Sequence, residues 1–299
     1  MGGRGWLIRA VWLLVLVVAA ILVPGRAAAT APMARALAPA VTAATVVAAG
    51  AATTVTPAAT GECYRWSRTL GLGTRGHDVA NLQVRVAGWA ASHSYVAIDG
   101  VFGAGTRAAV ARFQAGYGLP ASGTAGPGTY AKIYALQDPD CTPAHFSLSE
   151  LDDSAACGGG FDGGKVPPLE VQTNVRRLMW KLEALRHQLH DAPLLVSSGF
   201  RSVACNRRAG GVSNSQHLYG TAADLVSHGA SLCAIARAAR TAGFSGILGP
   251  GAAGHNDHVH VDSRAENNHD GMPNSFYWSA PSCGIAATAA APAAAATDV

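Results

Sequence analysis

The clearest periodic signal in the chain is helical and falls between residues 70 and 134. Apolar positions recur at Val79, Leu82 and Val86, with Gln83 in the same run, and again at Ala109, Val110 and Phe113. That spacing sets one face of a helix against a core, and glycines introduce both runs. A third short helix is predicted to begin near residues 127–130. Between the first two lies Ile98-Asp99-Gly100-Val101-Phe102-Gly103, where Gly100 and Gly103 permit a tight loop and Thr106 is expected to cap the helix that follows. Beyond residue 157 the pattern turns mixed, with a strong helix over 172–187, a strand over 194–198, a helix near 231–242 and a short strand at 259–261. These elements predict an α+β fold class: a small, mainly antiparallel sheet with helices, preceded by a small three-helix all-α domain.

Composition changes this picture mostly at the ends. Arg4 and Arg9 precede an apolar run over residues 10–23 that is too short to span a bilayer, and Ala27-Ala28-Ala29 supplies small residues for cleavage. Residues 1–29 therefore read as a signal peptide, and the chain as secreted to the extracellular space or cell wall, with no stable membrane anchor after cleavage. Residues 30–60 are almost entirely Ala, Thr, Val and Pro without amphipathic period, a low-complexity stretch or pro-segment. Residues 285–299 form an Ala-rich tail to which no fold is assigned. The folded part then divides into 61–141 and 142–284.

Six cysteines in an exported chain predict disulfides, and none stands in a CxxC pair that would hold zinc. Sequence alone does not choose among the possible pairings. The sequential one is favoured because Cys63 and Cys141 bracket the first domain, leaving Cys157 with Cys205 and Cys233 with Cys283 in the second. Of 299 residues, 49% are hydrophobic, a figure inflated by alanine, and the net charge is +4 without a Lys/Arg block. Nucleic acid is excluded as a partner on that ground, and a monomer is expected.

The candidate chemistry lies in two stretches. In Ser213-Asn214-Ser215-Gln216-His217-Leu218-Tyr219-Gly220-Thr221-Ala222-Ala223-Asp224, His217 and Asp224 are ligand types suited to zinc, and a loop through Gly220 can bring both inward. Alone, such a pair is common by chance, and His217 could equally be a helix-cap or surface residue. The second stretch, His255-Asn256-Asp257-His258-Val259-His260-Val261-Asp262, concentrates histidine and aspartate beyond what a structural segment needs. On a strand, His258 and His260 share a face and Val259 points away, so parity nominates both as ligands. A site of three protein ligands with one open position needs only one of them, or takes both with His217 and drops Asp224. The histidines at 77, 93, 145, 187, 190, 228 and 269 lack clustered partners and read as surface residues, while Arg207, Arg208 and Asp262 read as supporting charges.

Resemblance to known families narrows these options. The 98–103 loop, Thr106, Phe113-Gln114 and Gly118-Leu119-Pro120 resemble the three-helix peptidoglycan-binding module of wall hydrolases. The sequence departs from it where Val86-Ala87-Gly88-Trp89 replaces an expected leucine-rich turn. In the second domain, Ser197-Ser198-Gly199-Phe200-Arg201, then Ser215-x-His217-x-x-Gly220-x-Ala222-x-Asp224, then His255-x-Asp257-His258-Val259-His260 resemble, in order, the zinc D-alanyl-D-alanine carboxypeptidases. The resemblance implies His217, Asp224 and His260 as ligands of one Zn2+ per chain, with water in the fourth position. It further implies Asp257 as general base, His258 as an orienting residue, His255 as stabiliser of the oxyanion, and Arg201 with Ser215 and Tyr219 as substrate-binding residues. Each role has a physical basis. Zinc lowers the pKa of its water, a nearby carboxylate accepts the proton, and an Arg fork matches a terminal carboxylate in two parallel hydrogen bonds. The implied partners are peptidoglycan and its D-Ala-D-Ala stem peptides. Two alternatives remain open: a zinc endopeptidase that cuts cross-links, and a wall-binding protein whose zinc is structural.

Overall fold

A computed structural model of the chain describes residues 63–153, 157, 159–267, 275–288 and 291–292. The expected signal peptide, the 30–60 segment, residues 293–299 of the expected tail and His269 lie outside the described residues. No helix among the described residues is long and apolar enough to cross a membrane.

Three helices follow one another in the N-terminal part: α1 (His77–Val86), α2 (Ala104–Gly116) and α3 (Pro127–Ala135), each entered from a glycine, and α3 with Pro127 in its first turn. Proline suits that position because its missing N–H has no intrahelical partner there. Val79, Leu82 and Val86 of α1 meet Ala109, Val110 and Phe113 of α2 in one core. The loop between them is closed by buried Gln83. Its Nε2 donates to Asp99 Oδ1 (2.8 Å), Val101 O (3.0 Å) and Thr106 Oγ1 (3.1 Å), and its Oε1 accepts from Gly100 N (2.9 Å). Thr106 is therefore not the cap expected of it. The helix begins earlier, after Gly103, so the Thr106 hydroxyl lies inside the first turn and answers Gln83 instead.

The departure at residues 86–89 has a structural reason. Ala87–Trp89 forms a 3₁₀ turn pressed against the long helix α4 (Pro168–Gln188), and a Cβ on Gly88 would come within 2.9 Å of the Lys181 Cα. Helix α4 serves two cores at once. Trp180 and Ala184 pack with the N-terminal helices, whereas Val171, Val175, Leu178, Leu182 and Leu185, at helical spacing, pack with the C-terminal part.

The C-terminal part is built on one sheet: β1 (Leu195–Ser198), β2 (Ala222–Val226), β3 (Gly246–Leu248), β4 (Val259–Asp262), β5 (Ser275–Ser279) and β6 (Ala291–Pro292), in the order β1-β2-β4-β3-β5-β6. Pairing is antiparallel except between β3 and β5. Strand β6 falls within the expected tail, and its proline is tolerated because it lies at the sheet's edge. Short α5 (Val203–Arg208) starts at Ser202, whose Oγ accepts from Cys205 N (3.2 Å). Helix α6 (Leu232–Ala239) buries Ile235, Ala236 and Ala239 on the core, and one turn of helix, α7 (Arg264–Asn267), follows β4. Disulfides join Cys63 to Cys141, Cys157 to Cys205 and Cys233 to Cys283, with Cα separations of 5.2, 5.9 and 5.0 Å, which is the sequential pairing.

Candidate metal centre

Strand register brings the first two donors together. Asp224 on β2 sits directly across from His260 on β4, and Ser198 of β1 lies on the other side of Asp224. Asp224 is thus held by a strand, and the turn through Gly220 expected from the sequence leads into it from His217. His217 comes from a 3₁₀ turn, Gln216–Tyr219, that ends at Gly220 with φ 71°, a conformation and a packing density against Val171 that exclude a side chain. All three side chains are buried.

The donor atoms converge. His217 Nε2 lies 3.1 Å from His260 Nδ1 and 3.3 Å from Asp224 Oδ1, and His260 Nδ1 lies 2.9 Å from the same oxygen. The outer nitrogens fix which atoms face inward. His217 Nδ1 donates to Gly199 O (2.6 Å) and His260 Nε2 donates to Asp262 Oδ2 (3.0 Å), so the inner nitrogens carry lone pairs. Three acceptors facing one another in a buried place require a cation between them. A zinc ion with ligands at ~2.0–2.1 Å sets tetrahedral neighbours roughly 3.3–3.4 Å apart, so this donor set fits the ion with an opening of a few tenths of an ångström.

Without the ion a proton takes its place. Burial alone would strip His260 of its proton, but hydrogen bonds to Asp224 and Asp262 outweigh it and push its pKa up to about 9. Burial would raise the Asp224 carboxyl, yet its hydrogen bonds with His217 and His260 hold it well below the usual carboxylate range. His217 is pushed down by burial, with Asp224 offsetting only part of the effect.

A cavity of about 580 Å³ opens over these atoms, lined among others by Arg201, Ser215, His255, His258 and Arg264. Arg201 Nη2 donates to Asp224 Oδ2 (2.6 Å), the oxygen turned away from the histidines, and its Nε donates to Ser198 Oγ (2.8 Å), which in turn contacts Asp153. His258 stands just before β4, its Nε2 3.7 Å from Asp224 Oδ1, so parity was right that it shares the face of His260. Its Nδ1 donates to Asp257 Oδ1 (2.8 Å). Asp257 itself does not line the cavity and is 88% exposed, and the bond from His258 lowers its pKa. His255 Nδ1 donates to Ala253 O (2.7 Å), so a neutral His255 presents a lone pair on Nε2 and only its imidazolium donates from both nitrogens. Burial pushes its pKa down. Tyr219 stands away from the cavity: it is buried, its carbonyl accepts from Asn174 Nδ2 (2.9 Å) and its ring lies 6.0 Å from the Lys165 ammonium.

Four residues here were not named as site residues from sequence. Ser198 and Gly199 stand in the motif that carries the family resemblance but were given no role of their own, and Asp153 has no sequence signal, since long-range folding places it there. Asp262 did carry one: two residues after His260 on a strand, it shares the face of His260.

Comparison with known proteins agrees with this geometry. Residues 144–262 match the Peptidase M15 family, and residues 75–133 match a peptidoglycan binding domain. The chain is 48% identical over 261 residues to the zinc D-Ala-D-Ala carboxypeptidase of Streptomyces albus G, an alignment covering 87% of this chain and 94% of that protein. The family match and the identity over most of both chains make this a zinc peptidase by class. The chain belongs to the M15 peptidase family.

Proposed function

We propose that the protein is a secreted zinc peptidase that hydrolyses the C-terminal D-Ala-D-Ala bond of peptidoglycan stem peptides. One observation carries the reading: three buried acceptors, His217, Asp224 and His260, face one another at the floor of a cavity in a chain that aligns along most of its length with an enzyme of that name. These three residues hold one Zn2+. Bound there, zinc supplies Lewis acidity, polarising the scissile carbonyl and bringing the pKa of a water to about 7.

The chain's own residues do the rest. The proton released from the attacking water passes to the Asp257–His258 pair, His258 facing the centre and Asp257 backing its Nδ1. Arg201, held in one orientation by Asp224 and Ser198, takes the substrate's terminal carboxylate, with Ser215 at the same cavity wall. His255 donates an N–H to the charge that develops on the carbonyl oxygen, its neutral ring doing so in the Nε2–H tautomer that gives up the bond to the Ala253 carbonyl. Residues 1–29 direct export, 61–141 form a three-helix domain that holds the enzyme to the wall, 142–284 form the catalytic domain, and the mature protein is an unanchored monomer.

Incubation of the purified, zinc-loaded protein with a peptide ending in D-Ala-D-Ala tests this. Free D-alanine is expected, and none from the same peptide amidated at its C-terminus. Equal cleavage of the amidated peptide would make the enzyme an endopeptidase, and no cleavage of either would leave zinc a structural role.

A further inference from the structure

The two histidines at the centre are anchored differently. His217 gives its outer N–H to a backbone carbonyl, which is neutral and fixed by the chain. His260 gives its outer N–H to Asp262, a carboxylate with no exposed surface. A buried carboxylate is expensive to desolvate unless it is paired and hydrogen-bonded, so its presence calls for a reason beyond packing.

Asp262 has its own supports. Arg264 Nε donates to its Oδ1 (2.9 Å) and reaches Oδ2 (3.1 Å), Arg264 Nη2 adds a second contact to Oδ2, and the Arg264 backbone N donates to Oδ1 (3.0 Å). Across the strand, Gly246 of β3 pairs with Asp262 of β4, and a Cβ on Gly246 would collide with all three atoms of the carboxylate group. A glycine there clears the space into which the carboxylate turns.

From this geometry we infer that Asp262 is a positioning residue of the metal centre: clamped by Arg264 and given room by Gly246, it fixes the ring of His260 so that Nδ1 is the atom offered to the metal. The inference rests on the reading of His217, Asp224 and His260 as the zinc ligands. An anionic acceptor on the outer nitrogen does two things. It settles the tautomer and ring orientation, and it makes the inner nitrogen a stronger donor than a carbonyl partner would. Without Asp262 the ring keeps its place on β4 but loses what selects Nδ1.

The test uses the full chain in four forms: wild type, Asp262→Asn, Arg264→Gln and, as a ligand-loss reference, His217→Ala. Three quantities are read: zinc affinity by competition with a fluorescent chelator, the visible absorption of the Co2+-substituted protein, and the melting temperature of the metal-free form. Asp262→Asn is expected to weaken zinc binding by about 10- to 100-fold and to shift the cobalt bands, the usual consequence of removing an outer partner of a ligand. Arg264→Gln should move both in the same direction by less. The inference is overturned if both folded variants bind zinc with wild-type affinity and unchanged cobalt bands, or if their only defect is a lower metal-free melting temperature, which would make Asp262 a buried ion pair and nothing more. Should Asp262→Asn fail to fold, Arg264→Gln decides on the same two criteria. Failure of the underlying metal-centre reading looks different: His217→Ala would then bind zinc as tightly as wild type.

Discussion

Two clusters of buried polar side chains in this protein differ in one respect. Around Gln83 and Gln114 in the N-terminal helices, donors and acceptors match. Gln83 closes the loop at Gly100, and Gln114 does the same for another, its Nε2 donating to Thr124 O and Thr129 Oγ1 (both 2.9 Å) while its Oε1 accepts from Gly123 N (2.9 Å). At His217, Asp224 and His260 the outer nitrogens are matched, but the inner atoms are all acceptors. A cluster that satisfies itself is structure, whereas one that leaves a converging deficit of positive charge is a site.

The contrast predicts opposite outcomes for substitution. His217→Ala removes one of the three proposed ligands, and turnover of a D-Ala-D-Ala peptide should fall on the order of 10³-fold or more, the scale of losing a metal's charge stabilisation, with zinc absent from the purified protein. Retention of stoichiometric zinc, read by metal analysis, would end the reading of His217 as a ligand.

A step outward from the ligands, the effect should shrink while zinc stays. Asp257→Ala is expected to lower kcat by about 10²-fold, the usual scale for a general base or its immediate partner, with zinc content unchanged. Because Asp257 touches the cavity only through His258, a near-normal rate in Asp257→Ala combined with a large loss in His258→Ala would assign the proton to His258 alone.

Gln83→Ala supplies the counterpart on the matched side. Leaving Gly100 N and Thr106 without their partner should cost about 1–3 kcal/mol in denaturant unfolding, while turnover of a soluble peptide per folded molecule stays at wild type. A change in kcat instead would mean that the N-terminal helices couple to the cleft through α4, which they share with the sheet.

How much of this the residues disclose in advance depends on the length of the pattern. Helix α4 and the runs of α1 and α2 are long enough for their periodicity to speak, and the strands at 195–198 and 259–262 carry recognisable signals. Strand β2 does not: Ala222-Ala223-Asp224-Leu225-Val226 is mostly buried on both faces and shows no alternation, and β3 is three residues long. The centre was legible as a concentration of ligand types, but Asp224 facing His260 is a fact of register between strands distant in sequence. The choice between His258 and His260 came from family resemblance. The structure adds its own ground, since His260 lies deeper and has Asp262 behind it.

The smallest effect is also the most direct reading of the charge deficit. In the metal-free protein His260 holds a proton up to about pH 9, so zinc arriving at pH 7 must displace it. Calorimetric titration in buffers of different ionisation enthalpy should therefore show about one proton per zinc released from His260 at pH 7, beside the fraction given up by the zinc-bound water, with the His260 share declining as the pH passes 9, where that proton has already left. The same raised pKa, against about 6.5 in the unfolded chain, gives the metal-free protein a stabilising contribution that is complete below pH 6.5 and lost as pH rises through 9. The Gln83 side chain carries no titratable proton, so Gln83→Ala should leave that pH dependence unchanged while His260→Ala removes it. Proton release indistinguishable from zero at pH 7 would mean that the three acceptors do not share a proton, and that the deficit is met by some other rearrangement of the site.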